Sequence, residues 1–256
     1  MSATKLHIVA FDIPYPPDYG GAIDIYYKIK SLAQAGAEIY LHCFEYGRKH
    51  SDELTGLCKQ VWYYPRKTGL RGLSFNLPYI VYSRKNDALL KHLREVEAPI
   101  LFEGVHTTYY LSHPSLAGRI KAIRTHNIEH EYYRHLYRKA DNLVKKYYYL
   151  FESTLLRGYE LNLGAANAFF TLSFTDEEYF GKHYPNAKDA FIAPFHPYNE
   201  INSKTGIGGY ALYHGNLSHP ENVEAALYLL KYVFPNVNFP VIIAGKDPSP
   251  AIVKAC

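Results

Sequence analysis

An α/β fold built on a parallel sheet follows from three features of the sequence. Leu6–Phe11 (LHIVAF) is a near-continuous apolar run of strand length, the pattern of a strand buried on both faces. After it comes a Pro-rich loop ending in two glycines, then apolar residues at helical spacing from Ala22 to Ala35. Far downstream, Tyr210–Lys246 reads as a second complete strand, turn, helix and strand. Two such starts in one chain predict a larger first domain (residues 1–195), a linker (196–209) and the beginning of a second domain (210–256).

The first helix places Ile25, Ile29, Leu32 and Ala33 on one face, and Gly36 suits its C-cap. Strands are expected at Glu38–Phe44, Val61–Tyr64, Ile100–Glu103, Ile120–Thr125, Ala168–Leu172 and Ala190–Ala193. Thr68–Arg84 is irregular, and Asp87–Val96 is a helix. Glu131–Leu163 reads as helix with an interruption near Asp141–Asn142, and a capping box at Thr175–Glu178 opens a short helix reaching about His183. Gly206, Gly208 and Gly209 make the linker flexible. In the last unit Ser218 and Glu221 form a capping box with Pro220 in the first turn, Val223, Ala226, Leu227, Leu230 and Val233 make the buried stripe, and Val241–Ala244 is a second buried strand.

Composition narrows the function. A net charge of +4 without basic runs does not point to nucleic acid, and no zinc-ligand spacing occurs. Cys43, Cys58 and Cys256 are too few and scattered for a disulfide framework, which fits a reducing cytoplasm. No apolar stretch approaches the roughly 18 residues that a membrane span needs. The 26 tyrosines stand against one Trp, and most suit amphipathic surface. Residues 132–149 interleave Arg134, Arg138, Lys139, Lys145 and Lys146 with Tyr132, Tyr133, Tyr137 and Tyr147–Tyr149, either a solvated helix face or a peripheral contact with anionic lipid at the inner face of a membrane. The glycine loop lacks G-x-G-x-x-G, which disfavours a nicotinamide dehydrogenase.

The turn after Tyr210–His214 carries Gly215, Asn216, Leu217 and Asn222, and the next strand ends at Gly245. These residues resemble the "G-x-[LMF]-x-x-x-x-N" turn and "[IV]-x-G" strand that open the nucleotide-sugar-binding domain of GT-B glycosyltransferases, family 4-like and retaining. The P-x-P-P-D-x-G-G stretch ending at Gly20 and Gly21 resembles the acceptor-side glycine loop of the same enzymes. The resemblance implies two Rossmann-like domains, the first complete and the second truncated at residue 256. It implies a nucleoside diphosphate sugar as donor substrate, no metal or other cofactor, and a saccharide or lipid-linked saccharide as acceptor.

It also implies site residues. His126, at the end of a first-domain strand, would hydrogen-bond a sugar hydroxyl as the catalytic-site histidine; capping the next helix is its alternative role. Gly20 and Gly21 would approach the donor's phosphate or the acceptor, with Asp18 and Asp24 as weaker neighbours. Asn127 and Glu129 would hold the loop or contact the acceptor, and His106, just past a strand's carboxyl end, is a binding candidate by its position, an ordinary loop histidine being its alternative. Gly215, Asn216, Gly245 and Lys246 would lie near the nucleotide phosphates, where helix amides favour anions. The family's pair of glutamates with seven residues between them is not found after Tyr210; Glu45/Glu53, Glu95/Glu103 and Glu152/Glu160 share the spacing by coincidence. A sugar-nucleotide epimerase and a non-catalytic sugar-nucleotide-binding or scaffolding subunit remain as alternatives.

Overall fold

The computed structural model describes residues 4–256. The described residues divide into two compact units, the first ending at Pro197 and the second spanning Tyr198–Cys256. The first begins with β1 (Lys5–Ala10), α1 (Gly20–Gln34), β2 (Glu38–Glu45), α2 (Asp52–Leu57) and β3 (Gln60–Pro65). The stretch expected to be irregular contains a single-turn helix, α3 (Tyr79–Tyr82). Then come α4 (Asp87–Glu95) and β4 (Ile100–Glu103), followed by β5 (Lys121–Arg124). The long helical stretch divides into α5 (Glu129–Lys139) and α6 (Leu143–Glu160). Asn142 makes the break, its side chain accepting from the amides of Val144 and Lys145 to cap a new helix. The unit closes with β6 (Ala168–Thr171), α7 (Phe174–His183) and β7 (Lys188–Phe191). The cap of α7 is Ser173, whose hydroxyl accepts from Asp176 N, and not the predicted Thr175 box.

All seven strands are parallel, in the order β3-β2-β1-β4-β5-β6-β7. One layer buries Ile8, Ala10, Ile25, Ile29, Leu41 and Leu54 around α1 and α2. The other buries Val9, Phe102, Ile123, Leu89, Leu93, Leu156 and Phe169 against α4, α6 and their neighbours. Progression along the sheet reverses between β1 and β4. At such a point the loops leaving the two strands part and open a crevice at their carboxyl ends.

The second unit carries β8 (Ala211–Asn216), α8 (Pro220–Tyr228), β9 (Val241–Lys246) and α9 (Pro250–Ala255), with β8 and β9 parallel. Its helix starts at Pro220 after His219, and Ser218 Oγ donates to Asn216 Oδ1 instead of closing a capping box. The predicted stripe loses regular α geometry after Tyr228, where Leu229–Val233 forms a π turn. The strands were expected to be buried, yet Leu212 and Ile242 are about half exposed. Leu217, Ala226 and Ile252 form the unit's small core on one side of the two-stranded sheet. Among the described residues no helix is long and apolar enough to cross a membrane.

Candidate functional site

Phe11, the residue after β1, stands at the switch point in the sheet order. Its ring centroid lies 5.3 Å from those of both His106 and His126. A Cβ on Gly21 would fall 2.8 Å from Phe11 Cζ, so the glycine lets α1 approach the ring closely. Neither Gly20 nor Gly21 has the positive φ expected of a glycine turn; they are the first two residues of α1, and Gly20 faces open space. Gly104 does take positive φ (72°) and turns the chain out of β4 towards His106, where a Cβ would meet Nδ1 at 2.8 Å.

Below this ring cluster lies a buried ionic network. Lys28 Nζ donates to Asp24 Oδ2 at 3.1 Å and to Glu103 Oε1 at 2.7 Å. Arg124 Nη2 and Nε hold the Asp24 carboxylate at 3.1 and 3.2 Å, and Arg124 Nη1 donates to Ile192 O at 2.7 Å. Phe195 N also donates to Asp24 Oδ1, at 2.9 Å. Burial alone would raise both acids, but Lys28 prevails. With Arg124 it holds Asp24 down to about 2, and with His126 it keeps Glu103 below its ordinary value.

Glu103 Oε2 then faces His126 Nε2 at 3.5 Å, and neither atom has a hydrogen-bond partner among the described residues. An ionised carboxylate opposite Nε2 favours a proton on that nitrogen and leaves Nδ1 as the acceptor. Helix capping is not the role of His126, because α5 is capped by Ile128 without a side-chain bond. Asp24, Glu103 and His126 each place one ligand atom within 4.8 Å of the others. Lys28 already binds both carboxylates, so this trio carries its own cation and disfavours a metal ion.

A second carboxyl–imidazole pair has the opposite character. Glu129 is buried and its Oε1 lies 3.9 Å from His106 Nδ1. Burial and the nearby Glu160 push its carboxyl up to about 8, while burial and Arg84 hold His106 well below its usual value. At neutral pH the carboxyl is mostly protonated and the imidazole neutral. Glu160 accepts from Glu129 N at 2.8 Å and pairs with His130 Nδ1 at 2.5 Å, fixing the first turn of α5. Asn127 stands exposed beside this turn.

Of the sequence-predicted residues of the first unit, Gly21, His106 and His126 meet around Phe11, with Glu129 beside His106, whereas Gly20 faces open space and Asn127 is exposed. Asp18 instead pairs with Arg48 at 2.8 Å. Sequence reading missed Phe11, Lys28, Glu103 as a partner of His126, Arg124 and Arg84. The available signals were Asp24 and Lys28 four apart beside the apolar stripe of α1, and an arginine at the end of an apolar strand.

In the second unit Gly215 and Gly245 are register partners at the ends of β8 and β9. A Cβ on Gly245 would come within 1.9 Å of Gly215 O, a packing reason for glycine there. Asn216 O accepts from Asn222 Nδ2 at 2.9 Å, which ties the turn to α8. Lys246 is exposed at the end of β9.

No protein-family model matches the chain. An uncharacterized 44.6 kDa protein in the cps region of Klebsiella pneumoniae is 26% identical over 245 residues, covering 91% of this chain. The chain spans 61% of that relative's length. Among solved structures it is similar to a UDP-glucosyltransferase from Polygonum tinctorium capable of glucosylating indoxyl, with TM-score 0.56 and 11% identity, covering 99% of this chain and 67% of that one. It is also similar to Phytolacca americana UGT2 complexed with UDP-2fluoro-glucose and pterostilbene, with TM-score 0.50 and 10% identity over 96% of this chain and 72% of that one. At these identities the likeness is one of fold: the chain has a GT-B-like α/β architecture.

Proposed function

We propose that the chain belongs to a glycosyltransferase that moves a sugar from a nucleoside diphosphate sugar to a saccharide or lipid-linked saccharide, with retention at the anomeric carbon. The observation that carries this is the convergence of Gly21, Phe11, His106 and His126 at the strand ends, with Glu103 behind His126. In this reading His126 uses Nδ1 on a sugar hydroxyl while Glu103 fixes its ring. Protonated Glu129 and neutral His106 supply a donor and an acceptor for further hydroxyls, and Asn127 reaches the acceptor. The turn at Gly215 and Asn216, with Gly245 and Lys246, serves the nucleotide phosphates.

The UDP-sugar carried by one solved neighbour supports a nucleotide-sugar donor, and the relative's place in a cps region supports polysaccharide synthesis. The end of α6 presents Leu143, Val144 and Tyr147, each more than two thirds exposed, beside Arg138, Lys139, Lys145 and Lys146. We assign this tip to contact with an anionic membrane, where such acceptors reside. Vesicle co-sedimentation tests it: Leu143→Glu with Val144→Glu should release the protein, and unchanged binding would remove the assignment.

The function itself is tested by calorimetry with UDP-glucose and other nucleotide sugars, followed by product analysis. Saturable binding, weakened by His126→Ala, together with a glycosylated product that keeps the donor configuration is expected. Inversion would recast His126 as a general base. An altered sugar still attached to nucleotide would make the protein an epimerase, and binding without any turnover would leave a binding subunit.

A further inference from the structure

Beside the Phe11 cluster two basic dipeptides are held next to each other. Lys67 N donates to Ser83 O at 2.9 Å, and Arg66 Nε donates to Ser83 Oγ at 3.1 Å. This sets Arg66–Lys67 against Arg84–Lys85. Arg84 Nε donates to Phe11 O at 3.0 Å and Nη1 to Ile80 O at 2.6 Å, so the guanidinium is tied to the backbone of the residue whose ring lies beside His106 and His126. The others rest on aromatic faces. Arg66 lies 4.4 Å from the centroid of Tyr46 and 5.5 Å from that of Tyr79, Lys67 lies 4.9 Å from Tyr82, and Lys85 lies 5.5 Å from Tyr109.

None of the four cations has a carboxylate within 4.0 Å among the described residues. For Arg84, only 4% exposed, this is unusual, because a buried charge normally carries its counter-charge with it. Arg124, equally buried, holds Asp24. Asp12 offsets part of the Arg84 charge from beyond ion-pair distance, and the nearby acids are hydrogen-bonded to other groups. Asp12 accepts from Ile13 N and Tyr19 Oη, Asp87 from Tyr110 Oη, and Glu152 from Tyr79 N at the start of α3.

We infer that Arg66, Lys67, Arg84 and Lys85 form a subsite for an anionic group, a phosphate or a carboxylate, on the acceptor. Arg66 keeps its terminal guanidinium nitrogens for such oxygens once Nε is bonded to Ser83. Lys67 and Lys85 add charge with no carboxylate within 4.0 Å among the described residues, and Arg84, held by Phe11 O and Ile80 O, adds buried positive charge beside them. Assignment to the acceptor rests on the sugar-transfer reading above, whereas anion binding itself does not. The two sources are the phosphate of a lipid-linked saccharide and the carboxylate of a uronic acid.

The test titrates the full chain at low salt, by calorimetry, with inorganic pyrophosphate and separately with methyl glucuronide. At least one should saturate in the millimolar range or below, weakening about tenfold in Arg66→Gln and not in Lys59→Gln, a change at an exposed lysine. The stronger ligand identifies the source, and equal binding marks a subsite for either anion. Saturation by neither ligand, or binding that survives Arg66→Gln, overturns the inference. Melting curves check that the variant folds; should it not, Lys67→Gln with Lys85→Gln carries the same expectation. A separate UDP-glucose titration keeps the two proposals apart, since either can fail while the other stands.

Discussion

Glu103 Oε2 lies 3.5 Å from His126 Nε2, while the other oxygen of the same carboxylate takes a 2.7 Å bond from Lys28. One buried acid therefore joins the ionic core of the first unit to the histidine at its strand ends. Replacing His126 by Ala should lower sugar transfer about 10²-fold or more if the ring acts on the reacting sugar. The side chain is 13% exposed, so the melting temperature should move by about 2–4 °C or less. Initial rates and thermal melts on the same preparations check both halves.

Lys28→Met should be far more damaging to folding. It leaves Asp24 with Arg124 and the Phe195 amide, and Glu103 without its lysine, inside the protein. Removing one member of a buried network costs on the order of 3–5 kcal/mol, read as a lower urea midpoint. The pH dependence follows from the acids. Their folded values are depressed, so their contribution is complete above the ordinary carboxylate range and is lost as pH falls through it, for Asp24 from 3.8 towards about 2. Arg124→Met should flatten the acid limb of the wild-type stability curve over that window.

Glu129 titrates the other way. Its folded value is raised from 4.5 to about 8, so its contribution is present below 4.5 and lost as pH rises through 8. Glu129→Gln keeps the shape and cannot ionise. It should be more stable than the wild type at pH 8.5, by roughly 1–3 kcal/mol, and nearly equal to it at pH 4.5. Chemical denaturation at the two pH values decides this; parallel curves would place Glu129 in contact with solvent.

A chain of rings crosses the sheet: His7 Nε2 to Val96 O (2.9 Å), His7 Nδ1 to His42 Nε2 (2.9 Å), His42 Nδ1 to Tyr64 Oη (2.8 Å) and Tyr64 Oη to His92 Nδ1 (2.8 Å). Val96 O can only accept, which sets every proton in the row: His7 donates to it, His42 to His7, Tyr64 to His42, and His92 to Tyr64. Burial lowers His7 to about 4 and holds His42 well below 6.5, so the chain's contribution is complete above 6.5 and is lost as pH falls towards 4. His42→Phe removes the central link. It should cost about 1–3 kcal/mol at pH 7.5 and less at pH 5, measured as urea midpoints.

The paired glycines separate packing from function. Gly20→Ala meets no atom, and Gly21→Ala drives into Phe11. Alanine gains up to about 1 kcal/mol of helix propensity at either position. Gly20→Ala should thus be neutral or slightly stabilising with binding intact. Gly21→Ala should displace the Phe11 ring and weaken nucleotide-sugar binding several-fold, although the protein stays folded. Melting curves beside binding isotherms compare the two.

The parallel sheet was legible because its strands are apolar on both faces: Leu6–Phe11 and Ile100–Glu103 announce themselves by pattern alone. Helix ends were less legible, since Ser218 and Thr175 carry the right side chains while Ser173 and His219 occupy the cap positions. Burial in the second unit was misjudged because exposure of Leu212 and Ile242 depends on what covers the sheet, which local pattern does not encode. At the site, the strand-end histidines stood out by position. Glu103 and Lys28 did not, because a charge within an apolar stretch shows neither its partner nor its depth until residues 75 positions apart are brought together. Arg84 was hidden in a segment without periodicity.

The claim that the strand-end cluster grips a sugar is tested most directly by the imidazole signals of His126 in an NMR titration with UDP-glucose and other nucleotide sugars. The account predicts that a binding nucleotide sugar shifts these signals, that the matching nucleoside diphosphate without sugar shifts them much less, and that Glu103→Gln abolishes the difference. Saturable binding that leaves the His126 and His106 rings unmoved would contradict it.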